Sequence, residues 1–536
     1  MKNGFESMRK TSFFLLLSFA LQSLGAQPTK KPSAIRPNVL FIAVDDLKPL
    51  LSAYGESRMK TPNIDRLARM GTVFLNNYCQ QAVCAPTRAS LLTGQRPDYT
   101  QVWDLETLMR DKNPDILTLP QYFRQNGYTT TGLGKVFDSR SVDKMLDEPS
   151  WSVPFDKLEE ADYAAGYGRP KANYYQGPET LKLLEEIRTK AGKMGLKGEK
   201  LKDYLNKNRG PAVESAEVPD DAYQDGAVAK KAVATIARLA KDGQPFFYAA
   251  GFVRPHLPFV APRKYWDLYD REEINTAAYQ QFATDSPQFA YQASGELVNA
   301  YLLPNGDRYP TGYAPKPTEM QKELIHGYYA AVSYMDAQVG KLLDALDEQG
   351  LTKNTIIVLW GDHGWHLGDH GIWCKHTNFE QATRAPLIIA APGLTGGQKA
   401  EGLTEFVDVF PTLTDLAGLK TPEKLAGKSL VPMMKNPNAT VKRFAQSQYP
   451  RSTKEYGKLM GYAIRTPRYR YVAWFAEDYD KNKVLPNVRP IAEELYDYED
   501  DPNEEINFAA HSDHQDALKE HQVLLTEFLG SQPQAR

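Results

Sequence analysis

The sequence predicts an α/β protein, a mostly parallel sheet covered by helices on both faces, with a smaller C-terminal α+β part. Three observations carry that expectation. Continuous apolar runs such as Asn38 to Val44 and Thr355 to Trp360 have the length and composition of strands buried on both faces. These runs alternate with stretches of helical periodicity, the pattern of a parallel sheet with crossover helices. Beyond about Thr440 the pattern changes to aromatic and β-branched runs split by a proline-bearing turn, which reads as antiparallel hairpin. At 536 residues the chain exceeds one small domain, so two packed units of unequal size are expected, 36–440 and 441–536.

Taken in order, residues 1–26 read as a secretory signal peptide. Arg9 and Lys10 form its basic start, Phe13 to Leu24 its apolar run, and Gly25 or Ala26 its small cleavage residue. The run is too short for a bilayer core of ~30 Å, and no later run is long enough. Export to the periplasm or the medium is therefore expected, without membrane insertion. Residues 27–36 are a polar tether. The Asn38–Val44 run ends in Asp45-Asp46, and the C-terminal end of such a strand is where open α/β sheets place their functional groups. Thr61-Pro62-Asn63 predicts a helix cap, with the helix running from Ile64 to Met70. Leu117 to Asn126 reads as helix, and Gly127 to Gly132 as a turn and strand leading to Gly134-Lys135.

From Ser139 to about Pro219 the chain is polar, lysine-rich and weakly periodic, an insertion at the rim with one or two surface helices over Thr180 to Asn208. Helix returns from Asp221 to Lys241. Pro245 to Phe252 is a buried strand opening into Arg254-Pro255-His256-Leu257-Pro258-Phe259. Residues 270–315 are a second irregular stretch. Glu319 to Gln349 is the longest helix, with an apolar stripe from Leu324 through Tyr328, Met335, Val339 and Leu342 to Leu346. The Thr355–Trp360 strand ends in Gly361-Asp362-His363-Gly364. Pro386 to Ala391 is a further strand, Phe410 to Ala417 a short helix, and about Asp513 to Leu529 the last helix. The acidic run at 497–505 reads as a solvated turn.

The bulk properties exclude some functions. A net charge of −2 gives no reason to expect nucleic acid or an anionic membrane as partner. A polyanionic substrate would need a local basic pocket. The 30 tyrosines, 22 phenylalanines and 7 tryptophans suit sugar-ring contacts and an ordinary core equally. Three cysteines, Cys79, Cys84 and Cys374, exclude a disulfide-stapled fold.

The most informative stretch is Cys84-Ala85-Pro86-Thr87-Arg88, continuing to Leu92-Thr93-Gly94. Pro86 near a helix start costs nothing, since its missing N–H would be unpaired there. The N–H groups of that first turn would face whatever Cys84 carries, a good place for an anion. By itself the string also fits a buried thiol beside a surface arginine. An Asp-Asp pair alone likewise fits a helix cap; an Asp-Asp and an Asp-His pair, each closing a buried strand far apart in the chain, point more strongly to a site.

The pattern C-x-P-x-R followed by L-T-G resembles the signature of the type I, formylglycine-dependent sulfatases, and Phe74 to Pro97 is most similar to their iduronate-2-sulfatase branch. The resemblance runs from about Pro37 to about Ala510, apart from the two insert-like stretches. It implies an alkaline-phosphatase-like fold and an enzyme that hydrolyses sulfate esters. It implies that Cys84 is oxidised to formylglycine by a formylglycine-generating or sulfatase-maturating enzyme. The hydrated aldehyde is a gem-diol: one hydroxyl attacks sulfur, and the other lets the carbonyl re-form by ejecting sulfate, whereas a serine would stay sulfated. Asp45, Asp46, Asp362 and His363 match the family's metal positions, with the modified Cys84 in the shell. Such ligation suits Ca²⁺ or Mg²⁺, usually Ca²⁺ in the family. Arg88 should hold the formylglycine side chain, Lys135 and Lys375 match the sulfate-contacting lysines, and His256 matches the active-site histidine. His366, His370 and His376 are left as structural or rim residues.

One position departs from the pattern. After G-K-V-F the branch carries histidine, where this chain has Asp138, an acceptor in place of a donor. The expected substrate is a sulfated polysaccharide or its oligosaccharides, by analogy a 2-O-sulfated uronic acid of glycosaminoglycan or ulvan type. A phosphomonoester or phosphodiester hydrolase of the same superfamily is the alternative.

Overall fold

The computed structural model describes residues 36–157, 161–476 and 489–532; the expected signal peptide at 1–26 lies outside the described residues. At its centre runs β1 (Asn38–Val44), buried along its whole length. Six more strands complete the sheet: β2 (Thr72–Tyr78), β3 (Thr129–Gly134), β4 (Phe246–Phe252), β5 (Thr355–Gly361), β6 (Leu387–Ala390) and β7 (Gln398–Glu405). Their spatial order is β7-β2-β6-β5-β1-β4-β3. The expected mostly parallel sheet is present. One strand, β6, runs antiparallel to both β2 and β5, while β1 is parallel to β4 and β5, β3 to β4, and β7 to β2.

Because side chains alternate along a strand, β1 sends Leu40, Ile42 and Val44 to one face and Val39, Phe41 and Ala43 to the other. The first face packs against the helices Gln224–Asp242 and Thr318–Glu348, which contribute Val228, Ile236, Tyr328, Met335 and Val339. The second packs against the helices Cys84–Thr93, Leu119–Gln125 and Val409–Leu416, through Leu91, Leu92, Phe123, Phe410 and Leu413. Helices therefore cover both faces, as the continuous apolar strands require.

The C-terminal part is a four-stranded antiparallel sheet, β8 (Ala445–Thr453), β9 (Gly457–Arg465), β10 (Tyr469–Ala476) and β11 (Ala492–Asp497), in that order. One face carries Tyr462, Ile464, Tyr471 and Leu495 against Leu524, Leu525 and Phe528 of the last helix, Gln515–Ser531. The other carries Leu459, Ala463 and Trp474 against Ala290, Tyr291, Ile372 and Phe379. Both sheets belong to one unit spanning Arg36–Arg536.

Two strands were missed and two local expectations need correction. Strands β2 and β7 were not legible as strands, because each mixes polar and apolar residues without alternation. Thr61 precedes the helix Pro62–Met70 but makes no side-chain cap. Its place is taken across the fold by Asp336, whose carboxylate accepts from the N–H of Ile64 at 2.7 Å and of Asn63 at 3.2 Å. The acidic run is also not simply a solvated turn. Asp497 and Glu504 are buried, Asp497 paired with Arg468 at 2.6 Å and Glu504 with Arg470. Burying a carboxylate without such a cation would be costly.

Candidate active site

The four parallel neighbours β3, β4, β1 and β5 all end on the same edge of the sheet, so the residues that follow them converge. Lys135 follows β3, Val253 to His256 follow β4, Asp45 and Asp46 follow β1, and Asp362 and His363 follow β5. Backbone bonds continue the ladders past the strand ends: Asp45 N–H donates to Phe252 C=O at 3.2 Å, and Asp362 N–H to Val44 C=O at 3.1 Å. Lys135 depends on two facing glycines. A Cβ on Gly251 would lie 2.3 Å from the Lys135 backbone, and one on Gly134, at φ +83, 2.0 Å from Gly251 C=O. Asp46 sits at φ 57, a left-handed conformation that aspartate tolerates better than most residues.

Cys84 opens the helix Cys84–Thr93, every residue of which is buried. Thr87 Oγ1 donates to Asp362 C=O at 2.9 Å and ties this first turn to the end of β5. Arg88 is not a surface residue: its side chain is fully buried. Its guanidinium reaches Asp362 at 2.9 Å and Asp45 at 3.2 Å, and donates to the carbonyls of Lys135 and Val136. It therefore fixes the carboxylates on either side of Cys84, and no hydrogen bond joins it to the thiol among those described. Cys84 Sγ lies 3.6 Å from His363 Nε2.

Two lysines complete the cluster. Lys135 Nζ is 2.5 Å from Asp45, and Lys375 Nζ is 2.9 Å from Asp46 and 3.0 Å from Glu296. His256 Nε2 stands 3.1 Å from Glu296 and 3.8 Å from Asp46, while its Nδ1 is 2.7 Å from Leu257 C=O. Burial pushes the Asp45 carboxyl up, but Lys135, His256 and Arg88 outweigh it and hold the group well below the usual range. Asp362, between several acids, is pushed up by burial. Burial works against the Lys375 ammonium, yet Asp46 and Glu296 keep it firmly charged. Burial and the nearby Asp45 push the Cys84 thiol well above its ordinary value.

The donor set fits a hard divalent cation. The ligating atoms of Asp45, Asp46, Cys84 and His256 lie within 4.8 Å of one another, as do those of Cys84, Asp362 and His363. Cys84 is common to both groups, so the expected metal residues converge on it. Three buried carboxylates and one imidazole are oxygen-rich ligation of the kind Mg²⁺ and Ca²⁺ take. His256 touches the same cluster, but its Nε2 is closer to Glu296 and its side chain is 14% exposed toward the cavity.

That cavity, about 510 Å³, is lined by Cys84, Lys135, His256 and Lys375, and on its outer wall by Arg140, Arg169, Asn173 and Arg209 from the 139–219 stretch. Asp138 does not face it as a free acceptor. Arg140 binds it through two guanidinium hydrogen bonds of 2.7 and 2.8 Å and a backbone N–H at 3.1 Å; against the upward push of burial, these and Lys135 hold its pKa at about 2. Of the histidines expected to be structural or at the rim, His366 is buried and hydrogen-bonded to Thr377 at 2.9 Å, His370 stacks on Phe379, and His376 lines the cavity. Cys79 and Cys374 are buried free thiols. Glu296 was not legible in the sequence. It sits on a short helix, Gly295–Ala300, inside the irregular 270–315 stretch, and no motif surrounds it.

Comparison with known proteins extends this picture. The sulfatase family model matches residues 37–419, and one described as N-sulphoglucosamine sulphohydrolase, C-terminal, matches residues 368–529. The chain is 34% identical to iduronate 2-sulfatase of Mus musculus, the alignment covering 94% of this chain and 97% of that one. It is also 34% identical to a sulfatase of Formosa agariphila, over 93% of this chain and 89% of the other. Among solved structures, phosphonate monoester hydrolase from Silicibacter pomeroyi superposes with a TM-score of 0.69 at 22% identity, covering 93% of this chain and 96% of that one, a likeness of fold.

Proposed function

Because the chain belongs to the sulfatase family and is a sulfuric ester hydrolase, we infer that it acts on sulfate esters of a sulfated polysaccharide or its oligosaccharides, 2-O-sulfated uronic acids foremost. The observation that supports this reading is the convergence of Asp45, Asp46, Asp362 and His363 on Cys84, at a cavity that Asp45, Cys84, Lys135 and Lys375 line. The likeness to iduronate 2-sulfatase supports the choice of sugar. Residues 36–440 form the catalytic part and 441–536 the C-terminal part. An N-terminal signal at 1–26 would export the protein.

Each residue has a distinct task in this reading. Cys84, converted by a maturating enzyme to formylglycine, would supply as its hydrate the nucleophile for sulfur. A divalent cation, Ca²⁺ in preference to Mg²⁺, would be held by Asp45, Asp46, Asp362 and His363 and would favour ionisation of that nucleophile. Arg88 holds Asp45 and Asp362 in place through its buried pairs. Lys135 and Lys375 meet the sulfate oxygens as fixed positive charge in a site shielded from water. His256 gives a proton from Nε2 to the departing sugar oxygen, since an alkoxide is a poor leaving group. Glu296 orients His256 and Lys375 together.

Sulfate release from defined glycosaminoglycan and ulvan oligosaccharides, run beside phosphate mono- and diesters, tests the reading. Release from 2-O-sulfated uronic acid termini is expected. Faster turnover of phosphate esters than of any sulfate ester would replace it with the phosphohydrolase reading.

A further inference from the structure

A second cavity lies away from the one at Cys84. Its volume is about 1110 Å³ against about 510 Å³, and the two share no lining residue. The helix Cys84–Thr93 places them: Cys84 starts it, and Gln95 and Arg96 of the second cavity follow its C-terminal Gly94. Ten residues of helix span ~15 Å. The remaining walls come from 424–428, from 440–444 where the chain enters β8, and from the end of the helix Gln515–Ser531.

The floor of this cavity is built and rigid. Arg96 grips Glu405 with two hydrogen bonds of 2.7 and 3.0 Å and crosses the Phe528 ring at 5.0 Å. Lys442 bridges Glu405 at 2.5 Å and Asp408 at 2.7 Å. These two cations are thus matched by two buried acids. The rim is not matched. Arg443 pairs with Glu527 at 2.9 Å, but Lys424 and Lys428 have no carboxylate partner among the described residues, Lys428 Nζ donating only to Val441 C=O at 3.1 Å. Gln95, a buried residue, donates to Lys424 C=O at 2.6 Å, while its Oε1 has no hydrogen-bond partner.

We propose that this cavity is a second binding site, for a sulfated glycan segment remote from the ester being cleaved. Surplus ammonium groups recognise sulfate. The faces of Tyr99 and Phe444 suit the C–H faces of sugar rings. The volume exceeds the ~300–1,000 Å³ of ordinary small-molecule pockets, which favours an extended chain over a single ion. Holding the polymer here raises the local concentration of its other sulfates near Cys84. The inference rests on the reading of the substrate as a sulfated glycan.

The test uses the full mature protein and its K424E/K428E variant, both positions being exposed, with Y99A as a second variant that leaves charge intact. Binding of a fluorescent heparin dodecasaccharide is measured by anisotropy, beside hydrolysis of 4-nitrophenyl sulfate and of sulfated polymer. Charge reversal should weaken heparin binding by about tenfold at low salt, less at high salt. KM for polymer should rise while turnover of 4-nitrophenyl sulfate stays unchanged. Y99A should weaken heparin binding too. Unchanged heparin affinity in both variants would overturn the proposal. So would displacement of heparin by inorganic sulfate at equal ionic strength, or equal affinity for a DNA oligonucleotide of the same charge. Lost heparin binding in a protein that cleaves no sulfate ester would leave this site standing and sink the sulfatase substrate reading alone.

Discussion

The imidazole of His256 shares a carboxylate with Lys375: Glu296 lies 3.1 Å from His256 Nε2 and 3.0 Å from Lys375 Nζ. Lys375 and Trp365 enclose the arrangement from the far side, the ammonium 4.9 Å from the ring centroid. Burial raises the Glu296 pKa, but Lys375 and His256 pull it well below the usual range, so it stays ionised. Glu296→Gln keeps the shape and removes the charge. We expect kcat on a sugar sulfate to fall by about tenfold, with KM changed far less, because the residue orients groups that act in the transition state. A rise in KM with kcat intact would make Glu296 a substrate-binding residue instead.

His256→Ala should separate leaving groups. General acid catalysis contributes about 10²–10⁴-fold, so turnover of an alkyl sugar sulfate should collapse while 4-nitrophenyl sulfate, whose phenolate leaves unaided, loses much less. Equal losses on both substrates would pass the acid role to Lys375.

Cys84 should be found as formylglycine in active enzyme by mass spectrometry of its tryptic peptide. Cys84→Ala removes one small buried group and should cost about 1 kcal/mol of stability or less, while abolishing turnover. Full activity with only the thiol present would refute the assignment.

Chelation should stop turnover and Ca²⁺ should restore it. Asp362→Asn removes one carboxylate charge from the donor set and from Arg88, whose guanidinium is 2.9 Å away. Bound metal, counted by elemental analysis, should fall below one per chain in that variant. Unchanged metal content would exclude Asp362 as a ligand.

Stability should fall in acid. Burial lowers the His366 pKa from 6.5 to about 3, so the folded protein keeps this ring neutral while the unfolded chain takes up a proton below about 6.5. The stabilising contribution is therefore complete above about pH 6.5 and is lost as pH falls toward 3, at about 1.4 kcal/mol per pH unit. His366→Gln should make the loss in unfolding free energy between pH 7.5 and pH 5 smaller by about 2 kcal/mol. An identical pH dependence in variant and wild type would show His366 already charged in the fold.

How much could be read in advance depended on distance along the chain. Asp45-Asp46 and Asp362-His363 are each adjoined to an apolar run, and the run and its terminal acids are parts of one local pattern. The run dictates a buried strand, and the end of such a strand is where polar groups can emerge. Cys84 through Arg88 is equally local. What the sequence by itself determined is therefore the α/β class, the hairpin around 462–475 and the identity of the groups that meet at the strand ends.

The tertiary structure alone decided the rest. Strand order made β3, β4, β1 and β5 neighbours, and only that adjacency brings Lys135 and His256 to the acids. Strands β2 and β7 have too little apolar alternation to be strands by themselves; pairing with β6 and with each other satisfies their backbones. Arg88 turned inward because Asp45 and Asp362, 43 and 274 residues distant, needed a buried counter-charge. Glu296 became part of the site for the same reason. A carboxylate in an irregular loop carries no local sign of its partner, since a charge is placed by the field of whatever the fold brings beside it, and that field comes from residues far away in sequence.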